Sequence, residues 1–124
     1  MFTNQAEQVG LAFQFINGAD PLDSHARMFE FSGGGVAACD FDNDLWPDLY
    51  LTQGHEWPKP ETPRCDALFK NRGDDQFLRV VRDYMPGCPS YGQGASAGDF
   101  NNDGFTDFYV TNVGPNALFW NNRD

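Results

Sequence analysis

From Val36 onward the apolar residues fall in short runs, separated by clusters of Asp, Asn, Gly and Pro. Val36–Cys39, Leu49–Thr52, Ala67–Lys70 and Phe77–Val81 are rich in β-branched and aromatic residues, the pattern of short strands between turns. A second set follows at Ala95–Gly98, Phe108–Thr111 and Ala117–Trp120. Ahead of both, Leu11, Phe13 and Phe15 alternate with Ala12 and Gln14, which predicts a half-buried lead-in strand.

The two sets are copies of one unit. Gly33, Gly35, Ala38, Asp40, Phe41, Asn43, Asp44, Asp48, Tyr50 and Thr52 recur at an offset of 59 as Gly92, Gly94, Ala97, Asp99, Phe100, Asn102, Asp103, Asp107, Tyr109 and Thr111. DALFKN from Asp66 recurs as NALFWN from Asn116 at an offset of 50, so the first copy carries nine extra residues, in the Pro-rich stretch Gly54–Cys65. Four short antiparallel strands per unit of some 50–60 residues is the arithmetic of a propeller blade. The expected fold is therefore all-β, with about two β-propeller-type blades. Residues 1–31 are read as lead-in strands, 32–91 as the first blade and 92–124 as a second blade lacking its fourth strand.

Composition sharpens this picture. Eight Lys+Arg against 18 Asp+Glu leave a net charge of −10, and fourteen of the acids are Asp, a residue of turns and caps. So acidic a chain argues against a nucleic-acid partner and against docking on anionic lipid. No apolar run is long enough for a membrane span, and MFTNQAEQ lacks the basic start and apolar stretch of a signal peptide.

The candidate chemistry lies between the first two strands of each unit. DFDNDLWPD places carboxylates at Asp40, Asp42, Asp44 and Asp48, and DFNNDGFTD places Asp99, Asn101, Asp103 and Asp107. Oxygens at positions 1, 3, 5 and 9 of a tight loop converge, and position 7, Trp46 or Phe105, adds a backbone carbonyl. Five or six hard oxygen ligands suit Ca²⁺ at about 2.3–2.6 Å, which predicts two calcium sites. Solvated Asx-rich turns are the plain alternative, and the recurrence of one spacing at matching places weighs against it. An EF-hand is excluded because position 12 is Leu51 or Val110 and the flanks read as strands. No His or Cys joins these carboxylates, which argues against a redox or hydrolytic metal.

These loops, each followed by a Leu/Phe-Tyr-Leu/Val strand, resemble the FG-GAP (VCBS) repeats of integrin-type β-propellers. A wider pattern is similar to the start of bacterial relatives of cartilage acidic protein. It runs through Gly10-Leu11-x-Phe13, Asn17-Gly18, Met28-x-Glu30, Gly33–Ala37, Ala67–Asp74, Tyr91-Gly92-x-Gly94 and Thr111–Asn116. The resemblance implies a secreted or surface-exposed propeller whose loops bind Ca²⁺ and which serves binding or adhesion. One departure is Leu45, standing where the family and Gly104 of the second loop have glycine, at a position that needs a left-handed backbone.

Other features have simpler readings. Gly94–Gly98 fits G-x-S-x-G, but Ser96 aligns with Ala37, an Asp-rich loop follows in place of a helix and no His lies downstream, so no catalytic residue is assigned. Ser32–Gly35 has no following Lys and is expected to serve close backbone packing, not phosphate binding. His25 and His55 are expected on the surface. Trp57, on the stiff insertion, is either a contact residue or packed back onto the blade, the latter favoured. Cys39 aligns with Gly98 as a small buried thiol, and a Cys65–Cys88 disulfide would fit an oxidising compartment, with two free thiols as the alternative. The expectation is a calcium-stabilised, extracellular, non-catalytic module with a protein or glycan ligand. The alternative is a self-associating subunit of a fibre or ring, in which Phe2–Gln5 is donated head-to-tail as the missing strand; continuation in a longer chain would fill the same gap. An accessory domain of an enzyme ranks third.

Overall fold

The computed structural model describes residues 1–20, 22, 25, 27–57, 64–80 and 90–123. A 3-10 helix, Met28–Phe31, precedes seven strands: β1 Val36–Cys39, β2 Asp48–Leu51, β3 Ala67–Asn71, β4 Phe77–Val80, β5 Tyr91–Gly98, β6 Asp107–Val113 and β7 Ala117–Phe119. They form an antiparallel four-stranded sheet, β1-β2-β3-β4, and an antiparallel three-stranded sheet, β5-β6-β7. The fold is all-β and blade-like, as the repeat predicts. Among the described residues no helix is long and apolar enough to cross a membrane.

The registers match between units. Ala37 lies opposite Tyr50 and Tyr50 opposite Leu68. At the equivalent places Ser96 lies opposite Tyr109 and Tyr109 opposite Leu118. Because side chains alternate across a strand, each sheet has two distinct faces. One face of the first sheet, through Ala37, Tyr50 and Leu68, packs on Val110 to form the core, and Ala95, Ala97, Phe108 and Phe119 close around it. Tyr50 stacks on Phe108 with ring centroids 4.8 Å apart. Burial of such side chains stabilises by roughly 1.5–3 kcal/mol each. This interface between the sheets is what holds the units together.

Glycine lets the innermost strands approach. A Cβ on Gly35 would lie 2.4 Å from Gly94 Cα, so β1 and β5 meet at two repeat-equivalent glycines. Thr52 Oγ1 accepts from Gly35 N–H at 2.6 Å beside this contact. Close packing, not phosphate, accounts for Gly35.

Three expectations are corrected. First, the lead-in segment is not a strand. Leu11, Phe13 and Phe15 keep their alternating half-burial, but no ladder forms there. The Gln53 side chain takes the ladder's place: Ile16 N–H donates to its Oε1 at 2.8 Å, and its Nε2 donates to Gln14 O at 2.9 Å. Second, His55 is buried, at 3% exposure, instead of lying on the surface. Its ring packs against Tyr91 and Trp57, and Phe29 of the 3-10 helix meets the same two rings. Trp57 is thus packed back onto the body of the protein. Third, strand limits move: β2 begins at Asp48, β5 reaches back to Tyr91 and β6 runs on to Val113. His25 is exposed. Cys65 is disulfide-bonded, so the alternative of two free thiols does not hold; Val81, the Pro-rich residues 58–63 and Cys88, the expected partner of Cys65, lie outside the described residues.

Candidate metal centre

Both Asp-rich loops link the first two strands of their sheets and adopt one conformation. Asn43 and Asn102 both have φ of 59°, and Leu45 and Gly104 have φ of 73° and 88°. Leu45 therefore does occupy the left-handed position, at a cost of roughly 1–2 kcal/mol that glycine avoids.

The carboxylates build the loop as well as line it. Asp40 accepts from the N–H groups of Asp44 and Leu45 at 3.0 and 2.8 Å, and Asp99 does the same for Asp103 and Gly104 at 2.9 and 2.8 Å. Asp44 accepts from Trp46 N–H, and Asp103 from Phe105 N–H. These bonds, then the Lys70 or Arg123 partner, hold both carboxyls below the usual range. Asp48 and Asp107, at position 9, are fully buried. Asp48 accepts from Phe41 and Asn71 N–H at 3.1 and 2.7 Å, and Asp107 from Phe100 and Asn121 N–H at 2.9 and 2.8 Å. Asp48 thus ties its loop to the end of β3, and Asp107 ties its loop to the segment just after β7. Burial pushes the Asp48 carboxyl up, against those N–H bonds.

The loops also touch each other. Asn43 Nδ2 donates to Gly104 O at 3.1 Å and Thr106 Oγ1 to Asp40 O at 3.2 Å. Asn121 Nδ2 reaches Phe41 O at 2.7 Å and Thr106 O at 3.2 Å. Both candidate sites therefore sit at one end of the paired sheets.

They differ in charge. In the first loop, oxygens of Asp40, Asp42 and Asp48 lie within 4.8 Å of one another. Asp42 Oδ1 is buried there without a hydrogen-bond partner. Three acceptor-only groups held this close are a donor set that a hard cation such as Ca²⁺ would neutralise. Lys70 stands at its rim, bonded to Asp42 Oδ2 and 3.1 Å from Asp44 Oδ2. Both carboxylates hold the Lys70 ammonium above its ordinary pKa. In the second loop an amide, Asn101, replaces Asp42 and donates to Asp103 Oδ2 at 3.0 Å, while Arg123 lies 3.1 Å from the same oxygen and over the Phe105 ring. No carboxylate trio as tight as the first forms there among the described residues. Lys70 and Arg123 escaped the sequence reading. Lys70 was legible in principle, since it is the one cation in the Ala67–Lys70 run expected to pair with the strand that follows the first loop.

The remaining candidates carry no chemistry. Ser96 lies mid-strand in β5, exposed, and not at a strand-to-helix turn. Cys39 is a free thiol that burial, with Asp48 and Asp40 beside it, pushes up to about 12, so it stays protonated.

A family model described as FG-GAP-like repeat matches residues 40–110, from the first aspartate of one loop through the whole of the other and into β6. Comparison with curated proteins and with solved structures gives no match. The matched span covers more than half of the chain and takes in both Asp-rich loops, β2 to β5 and the start of β6, so this chain belongs to the FG-GAP-like repeat family.

Proposed function

We propose that this chain is a calcium-stabilised, extracellular β-propeller repeat module that serves binding or adhesion and performs no catalysis. Its units run over 32–91 and 92–124, and its wider motif pattern allies it to bacterial relatives of cartilage acidic protein. The observation that carries the calcium reading is the unpartnered, buried Asp42 Oδ1 within the Asp40–Asp42–Asp48 cluster. Asp40, Asp42, Asp44 and Asp48 with the Trp46 carbonyl would hold one ion; Asp99, Asn101, Asp103 and Asp107 with the Phe105 carbonyl would hold the other. A bound Ca²⁺ supplies the positive charge that lets several carboxylates share one small volume. The net charge of −10 and loops suited to millimolar calcium favour an extracellular setting.

Thermal unfolding in excess calcium and in EDTA tests the reading. A ligand at about 100 times its dissociation constant adds ~2.7 kcal/mol per site, so the melting temperature should fall by several degrees on chelation. Asp42→Ala, which removes the side-chain oxygens that both loops have at this position, should remove most of the response of the first loop. Superimposable melting curves with and without calcium would refute it.

A further inference from the structure

The two units treat the aromatic at position 7 of the loop differently. In the second, Arg123 sits over the Phe105 ring, its guanidinium carbon 4.8 Å from the centroid, and pairs with Asp103. Arg123 follows Asn121 at the same spacing as Gly73 follows Asn71. The two turns share one backbone. Gly73 N–H donates to Asn71 Oδ1 and Arg123 N–H to Asn121 Oδ1, each at 3.0 Å, and φ is 73° at Gly73 and 66° at Arg123. The first unit therefore has glycine where the second has a cation. Glycine lets the larger ring of Trp46 lie on the turn, since a Cβ at residue 73 would stand 2.6 Å from the indole Nε1. Trp46 is still 50% exposed, and no cation of the described residues stands over it. Beside the ring is a cavity of about 360 Å³, at the small end of ligand sites. Phe77 and Val9, both half-buried, add apolar wall, and Gln5 and Asp75 are exposed at its edge. Asp75 is the only charged residue of the lining and makes no ion pair among the described residues. The neighbouring cations are engaged elsewhere: Arg72 lies 3.3 Å from Asp74 Oδ2, and Lys70 is held by Asp42 and Asp44.

We propose that this cavity binds a small organic cation, an alkylated ammonium group that lies against the Trp46 ring with Asp75 as its counter-charge. The second unit supplies the template, a cation held on the same ring position by the chain itself. The proposal rests on the binding role put forward above and names its class of ligand; it needs no bound calcium. Tryptophan is the strongest aromatic partner for a cation, and the attraction grows as the cation loses its water. An alkylated ammonium sheds water readily, and its methyl groups cover the apolar wall of Val9 and Phe77 while one carboxylate answers its single charge. The net charge of −10 raises the local concentration of any such ligand.

Choline is the probe, and its uncharged isostere, with carbon in place of the nitrogen, is the control. Saturation transfer from the protein to the ligand methyl protons reads binding in every variant, in calcium and again in EDTA, so that the calcium reading is tested apart from this one. Choline should bind saturably and the isostere about tenfold more weakly. Asp75→Asn should weaken choline several-fold, Trp46→Phe should keep part of the binding, and Trp46→Leu should abolish it. Gly73→Arg, which installs the cation of the second unit, should block the site from within and serves as the second variant if Trp46→Leu misfolds. Phosphatidylcholine vesicles separate the two sources of the group: Trp46-dependent co-sedimentation means a lipid headgroup, and choline binding without it means a free ligand. Equal binding of choline and its isostere would overturn the cation and leave the binding role standing. No choline signal, or one that survives both Trp46→Leu and Gly73→Arg, would remove the site.

Discussion

Single residues set how charge is tolerated in this acidic chain. Asp66 shows it most clearly. Its carboxylate is buried, accepts from Tyr50 Oη and Gln53 N–H, and burial pushes its pKa up to about 6. The folded state therefore holds the proton more tightly than the unfolded chain, whose value is 3.8. The stability that this group contributes is complete below that value and is lost as pH rises through about 6, amounting to ~3 kcal/mol in order of magnitude. The second unit carries Asn116 at the same place, and it keeps both links: Asn112 N–H donates to its Oδ1, and its Nδ2 donates to Tyr109. Asp66→Asn should fold and should flatten the fall in stability between pH 4 and 7, as urea unfolding across that range would show. Lys70 is a second case. Its ammonium answers part of the negative charge that calcium would otherwise answer. Lys70→Met should raise the calcium affinity of the first loop on the order of tenfold, about 1.4 kcal/mol. It should also lower the melting temperature in EDTA, and calorimetric titration would report the affinity directly.

At the scale of elements, the Asp-rich loop and the glycine contact are the two recurrent devices. Each loop is folded by its own aspartates before any ion is considered, because positions 1, 5 and 9 all accept backbone N–H groups. Repetition of those residues made the loops legible from spacing alone. The lead-in segment was not legible, because Leu11, Phe13 and Phe15 alternate as a strand does while the neighbour at 52–55 is not a strand. The glycines test the packing of β1 on β5. Gly35→Ala would put a methyl into the Gly94 backbone, which cannot turn aside, and should cost about 1–3 kcal/mol by denaturant unfolding. Gly33 has nothing within 4 Å of an added Cβ, so Gly33→Ala should be nearly neutral.

For the molecule as a whole, seven of the 18 acidic residues lie in the two loops, which meet at one end of the sheets. Self-repulsion of this kind opposes the compact state and is screened by salt. Raising sodium chloride in EDTA should therefore raise the melting temperature, and the gain should shrink once calcium is present. A salt response of equal size with and without calcium would mean that the loops are not where the repulsion resides. Chelation should loosen the contact between the sheets as well as the loops, since Asn43, Thr106 and Asn121 join one loop to the other.

The sequence by itself determined the local architecture: seven of the eight expected strands, their antiparallel order within each unit, the position of both loops and the left-handed backbone at Leu45. These depend on side-chain alternation and turn chemistry, which act over a few residues and recur whenever the residues recur. Tertiary structure decided what the two units do not share. Tyr50 is buried and Tyr109 exposed, although their neighbours along the chain are the same kind, because only Tyr50 has a second sheet against it. His55 is buried by Phe29, Trp57 and Tyr91 acting from three separate segments, and Lys70 reaches Asp42 across 28 positions of chain. Burial and ion pairing are properties of what lies across a gap in space, and a repeat pattern carries no term for that gap.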